Sequence, residues 1–126
     1  MSSHPLSRIV LHLARTKDFP EGSKHHGYEI VAPLDAEAHI SAEGWKAHRD
    51  RCRVRRFWGN DDDDIGHLVH RPGGSWAIRY DIAGDEDDEA GYRFGAHAFR
   101  LGEYVSIRDD EDELHAFRVV SVTEVP

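Results

Sequence analysis

The clearest hydrophobic pattern runs from Gly102 to Val125. Val105 and Ile107 alternate with Tyr104, Ser106 and Arg108, the period of a strand with one buried face. Asp109-Asp110-Glu111-Asp112-Glu113 then interrupts the alternation. Five adjacent carboxylates repel one another and have nothing to bury, so this run predicts a solvated turn. Leu114 to Val125 returns as a second strand, rich in Val, Phe and Thr. The hairpin would place Val105 opposite Phe117 and Ile107 opposite His115. Its phase slips further on. Phe117 and Val119 share one face, whereas Val120 and Val122 share the other, which predicts either a bulge near Val119–Val120 or burial of both faces.

The same alternation predicts strands over 6–15, from Gly27 to Leu34, from Cys52 to Trp58, from Ile65 to Arg71, from Ser75 to Asp81 and, more weakly, from Tyr92 to Phe99. Residues 16–26, with Pro20, Gly22, Ser23 and two histidines, read as a loop. Pro72-Gly73-Gly74 reads as a tight turn. One stretch breaks the two-residue period. Ser41 is a helix-capping residue, and 41–51 fits a helix of about three turns that plugs one end of a barrel or lies across a sheet. The expected fold is mainly β (α+β): a single domain over 1–126, built as a small barrel or strongly bent antiparallel meander of 7–8 strands with one helix.

The chain carries a net charge of −8, but the charge is unevenly spread. Asp61–Asp64, Asp85–Glu89 and Asp109–Glu113 hold 14 of the 24 acidic residues, leaving 16 basic against 10 acidic residues in the rest. The net negative charge argues against non-specific nucleic-acid binding. In an up-and-down meander, successive turns alternate between the two ends. All three acidic runs would then share one rim, with Lys46, Arg49 and Arg51 at the other end. Such charged tips discourage edge pairing. They would also attract a basic protein partner or divalent cations.

There is no apolar run of the ~18 residues a membrane helix needs. The first residues lack the basic and apolar regions of a secretory signal. One cysteine, Cys52, allows no internal disulfide and suits a reducing compartment, so a cytoplasmic location is expected.

Several motifs carry candidate chemistry. His48 and Cys52 stand four residues apart and would share a helix face if the helix reached Cys52; with His67 and His70 they could bind zinc or another divalent metal. His67 and His70 are an odd number apart, which in a regular strand puts them on opposite faces. Cys52 and His48 could also act as nucleophile and base, although a cysteine at the start of an apolar strand is more often core. Asp61 to Asp64 resembles the start of a calcium loop, but Ile65 occupies the third ligand position and Pro72 stands where a bidentate Glu belongs. The chain has no Gly-x-Ser-x-Gly elbow, His-Glu-x-x-His, Cys-x-x-Cys or glycine-rich phosphate loop. Arg53, Arg55 and Arg56 beside Phe57 and Trp58 mix cations with rings as single-strand nucleic-acid surfaces do; pairing with the acidic loops accounts for them more simply. Trp58, His70, Trp76 and Tyr80, with Arg56 or Arg79 as polar anchor, could line the mouth of a barrel.

Trp45…Arg49…Cys52-Arg53-Val54-Arg55-Arg56-Phe57-Trp58, followed by His70-Arg71-Pro72-Gly73-Gly74-Ser75-Trp76, resembles a small group of uncharacterised bacterial β-rich proteins. The likeness extends weakly through Gly102-Glu103-Tyr104-Val105 and Phe117-Arg118-Val119, roughly two thirds of the chain in all. It implies a bacterial, cytosolic, stand-alone domain and carries no activity or catalytic residue. Two functions are therefore expected from the sequence. The first is a non-enzymatic domain without a resident cofactor, binding a partner or small ligand through loops at one end. The alternative is a small metalloprotein or enzyme using the His/Cys set.

Overall fold

A computed structural model describes residues 5–71, 75–81, 89–91, 98–108 and 113–125. Among the described residues, eight strands follow one another around an antiparallel ring: β1 (Leu6–Leu13), β2 (Ser23–Pro33), β3 (Arg53–Trp58), β4 (Asp64–His70), β5 (Trp76–Tyr80), β6 (Glu89–Gly91), β7 (Tyr104–Arg108) and β8 (Leu114–Glu124). The β1–β8 ladder closes the ring into a barrel. The ring is thinnest at β6, which has three residues and meets β7 through the single pair Ala90↔Arg108. Between β2 and β3 lie a short helix, α1 (Ala42–Ala47), and a 3-10 turn, Arg49–Arg51. No helix among the described residues is long and apolar enough to cross a membrane.

The inner face follows the two-residue period. Ile9, Leu11, Tyr28, Ile30, Val54, Leu68, Ile78, Val105, Ile107, Phe117 and Val119 are all buried and fill the barrel. Val105 stands opposite Phe117 and Ile107 opposite His115, as the alternation predicts. The phase slip is a bulge: Val10 pairs with Ser121, but the next residue, Leu11, pairs with Val119, so Val120 is skipped. A bulge sharpens the local twist and helps a small sheet close on itself. Two glycines sit where strands approach closely. A Cβ at Gly27 would collide with the Leu11 carbonyl, and one at Gly66 with the Arg79 carbonyl.

Three expectations need correction. The helix is six residues long rather than three turns. Ser41 Oγ accepts the Gly44 N–H at 3.0 Å and starts the helix as expected. At the other end the His48 N–H is shared by the Gly44 and Trp45 carbonyls, both at 3.1 Å, which tightens the chain into the 3-10 turn. The helix therefore never reaches Cys52, and the His48/Cys52 helix face does not form. Second, β2 begins at Ser23, so His25 and His26 belong to a strand and not to the loop after β1. Third, β6 at Glu89–Gly91 is a strand that the alternation did not predict, and Phe99 at the end of the expected Tyr92 to Phe99 strand is not in one; the rest of that expectation, 92–97, lies outside the described residues.

The meander order fixes which connections share an end. The helical connection between β2 and β3 shares the helix end with Arg71 and Ser75, between β4 and β5. The loop after β1 and the 59–63 turn occupy the opposite, turn end. The strand ends leading into 82–88 and 109–112 also lie there. Most of Asp85–Glu89 and Asp109–Glu113 falls outside the described residues.

Candidate functional site

The inner side chains differ sharply between the two ends. At the helix end Trp45 is buried, and its indole N–H donates to the Leu68 carbonyl at 2.8 Å. It meets His70 and Trp76 edge-on, each with ring centroids 5.8 Å away, while His70 lies against Trp76 at 4.3 Å. Arg49 covers the outer side of the Trp45 ring at 5.3 Å. The Phe99 N–H donates to the Ala38 carbonyl and fastens the 98–100 segment beside this plug.

At the turn end Trp58, His26 and His115 are only half-buried. Trp58 of β3 meets His26 of β2 edge-on at 4.7 Å, and His26 lies 4.7 Å from Phe19 of the preceding loop. Across the barrel Trp58 faces His115 and Phe117 of β8 at 6.1 and 6.4 Å. The Arg56 guanidinium stacks over Trp58 at 4.3 Å and reaches the Asp64 carboxylate at 3.6 Å. Tyr80 joins this half by sharing the inner face of β5 with Trp76 and Ile78, as expected. Burial lowers the His26 pKa first, with His25 and Arg56 adding to the effect and Asp61 opposing it. Ser23 Oγ lies 2.7 Å from His26 Nδ1 and fixes the ring.

The six residues expected at a barrel mouth are therefore divided. Arg56, Trp58 and Tyr80 lie toward the turn end. His70 and Trp76 belong to the plug. Arg79 is exposed on the outer wall beside His67 and Gly66. His26 and His115 complete the turn-end cluster without having been singled out from sequence. Parity could have found His115, which shares the face of Phe117 and Val119. His26 could be placed only once β2 was known to extend to Ser23.

The possible metal ligands are dispersed as well. Cys52 is fully buried, and burial pushes its thiol pKa up to about 11. That environment suppresses the thiolate a nucleophile requires. His67 Nδ1 lies 3.0 Å from Asp81 on the outer wall, His70 stacks on Trp76, and His48 ends the helix. Among the described residues no three His, Cys, Asp or Glu side chains are grouped to share a metal ion.

The arginines of β3 have carboxylate partners: Arg53 holds Asp81 at 2.9 Å, Arg55 holds Asp63 at 2.9 Å and Glu29 at 3.5 Å, and Arg56 holds Asp64. The hydrogen bond to Asp63 is the main cause raising the Arg55 pKa. A separate cleft of about 520 Å³ opens on the outer wall below the β1–β2 loop, between that loop and β7–β8. No family model, curated protein or solved structure matches the chain.

Proposed function

We propose that this is a non-enzymatic binding domain of the bacterial cytoplasm whose working surface is the turn end of the barrel, and that its partner there is a basic protein segment. The observation that carries the reading is the coincidence of half-buried rings and carboxylates at one end. Trp58, His26 and His115 stand beside the Asp61–Asp64 turn, while at the other end Trp45 of α1 and Trp76 are buried against each other. Asp63 and Asp64 are answered by Arg55 and Arg56, but exposed Asp61 and Asp62 have no cation partner among the described residues. The strand ends flanking the other two acidic runs lie at the same end. Carboxylates on that rim would steer a cation toward the rings.

The Arg56–Trp58 stack illustrates the chemistry: a guanidinium rests on the indole face with a carboxylate behind it. A lysine or arginine of the partner would meet the same combination of ring and carboxylate. Calorimetric titration with a tryptophan-free Lys/Arg-rich peptide tests the proposal. Binding should be measurable at low ionic strength, weaken steeply as salt shortens the Debye length from about 30 Å at 0.01 M to about 8 Å at 0.15 M, and decline on Trp58→Ala. Absence of binding at low salt, or affinity indifferent to both salt and Trp58→Ala, would contradict it.

A further inference from the structure

The outer-wall cleft is distinct from the barrel mouth and has the opposite electrostatic character. Its walls include Arg15, Lys24 and Arg118, with Glu21 as the carboxylate facing them. The barrel's other described arginines on β1 and β3 are neutralised: Arg8 by Glu29, and Arg53, Arg55 and Arg56 as described above. Arg15, Lys24 and Arg118 have no such partner among the described residues, although the chain as a whole is strongly acidic. Three cations against one carboxylate leave this concavity with excess positive charge, and like charges in a shared cleft repel. His12 also lines the cleft. Burial lowers its pKa first, and the neighbouring His25 and Lys24 lower it further.

The register explains why these groups meet. Tyr104 of β7 pairs with Arg118 of β8, which pairs with His12 of β1. All three alternate with buried residues, so they stand in a row on the outer wall. Lys24 and Arg15 come from the strand end and the loop on the far side of His12. Tyr104 is 59% exposed, unusually open for a large ring, and Val120, displaced by the bulge, adds an apolar edge. The cleft thus offers cations along its length and a free aromatic face at one end. Its size falls within the roughly 300–1,000 Å³ of small-molecule sites.

We infer that this cleft binds a small phosphate monoester carrying a planar ring, of nucleoside monophosphate size, with the phosphate held by Arg118, Lys24 and Arg15 and the ring laid on Tyr104. The three cations less Glu21 leave two positive charges, which match a phosphate dianion. Arginine suits the role because its planar donors bind phosphate oxygens in pairs. Glu21 is placed to accept a hydroxyl hydrogen bond from the ester's sugar or alcohol portion.

Calorimetry with adenosine 5′-monophosphate, uridine 5′-monophosphate, adenosine and inorganic phosphate tests the inference. A monophosphate should bind one per chain and more tightly than either adenosine or phosphate. Arg118→Ala and Lys24→Ala should each weaken it by about ten-fold or more, as loss of a charge-assisted hydrogen bond does. Tyr104→Ala should reduce the nucleotide toward the affinity of phosphate alone. Arg8→Ala, which removes a paired arginine on β1 outside the cleft, and Trp58→Ala, which alters the barrel mouth, should leave binding unchanged. Failure of both monophosphates to bind, or wild-type affinity in folded Arg118→Ala and Lys24→Ala variants, would overturn the site. Circular dichroism of each variant establishes that it is folded.

Discussion

The two ends of this barrel use the same kinds of side chain for opposite purposes. At the helix end Trp45 of the capped helix and Trp76 are buried ring against ring with partly buried His70 beside them, and the indole N–H of Trp45 is satisfied by a backbone carbonyl. At the turn end Trp58, His26 and His115 make similar ring contacts but are only partly buried, with arginine and carboxylates among them. Aromatic residues in a small barrel are therefore not equivalent. Those sealed beneath another element contribute mainly to stability, whereas those beside water and charge retain faces that a partner could use.

Substitutions at the two ends should separate these roles. Trp45→Ala empties a buried site and orphans the Leu68 carbonyl, so it should cost about 3–5 kcal/mol in urea unfolding. Trp58→Ala removes a half-buried ring and should cost about 1 kcal/mol, while weakening binding of the basic peptide. The reverse order of stability loss would break the comparison.

A smaller effect should appear with pH. The native His26 pKa lies below its ordinary value of 6.5, so the unfolded chain takes up a proton more readily than the native one. Its contribution to stability is therefore full above 6.5 and is lost as pH falls through the lowered native value. Melting temperatures of wild type and His26→Gln should converge as pH falls from 7.5 to below 6, relative to their difference at pH 7.5. A constant difference would show that His26 does not titrate with folding.

Smallest in energetic terms is the behaviour of Cys52. With its pKa near 11 and no exposed surface, roughly one thiol in a thousand is ionised at pH 8. A disulfide reagent should leave the native protein unlabelled at that pH and label it fully in urea. Rapid native labelling would mean that the junction between the 3-10 turn and β3 opens readily.

Much of this architecture can be read directly from the chain. The hairpin of β7 and β8, including Val105↔Phe117, is specified by alternation on either side of a five-carboxylate break. The Val119–Val120 slip marks the bulge that helps the sheet curl. The site was legible only in part, because a two-residue period tells which face a residue occupies but not its height in the barrel. Trp58, Trp76 and Tyr80 all point inward; the inter-strand registers then separate Trp76 from Trp58. His26 was hidden because Gly22-Ser23-Lys24-His25-His26-Gly27 has no apolar alternation, and its extended form is imposed by ladders to β1 and β3. The helix was overestimated because local propensity does not register the anchor at Trp45 or the need for the chain to enter β3 at Arg53. The outer-wall cleft was invisible for a related reason. Arg15, Lys24, Tyr104 and Arg118 come from separate parts of the chain and meet only when β8 closes on β1.

The asymmetry of the ends is tested most directly by acrylamide quenching of three single-tryptophan variants, which retain Trp45, Trp58 or Trp76 and carry phenylalanine at the other two positions. Each is measured with and without the basic peptide. Trp58 should be readily quenched in the free protein and protected when the peptide is bound, while Trp45 and Trp76 should be shielded in both states. Equal quenching of all three in the free protein, or peptide protection confined to Trp45 and Trp76, would contradict a turn end that binds and a helix end that is sealed.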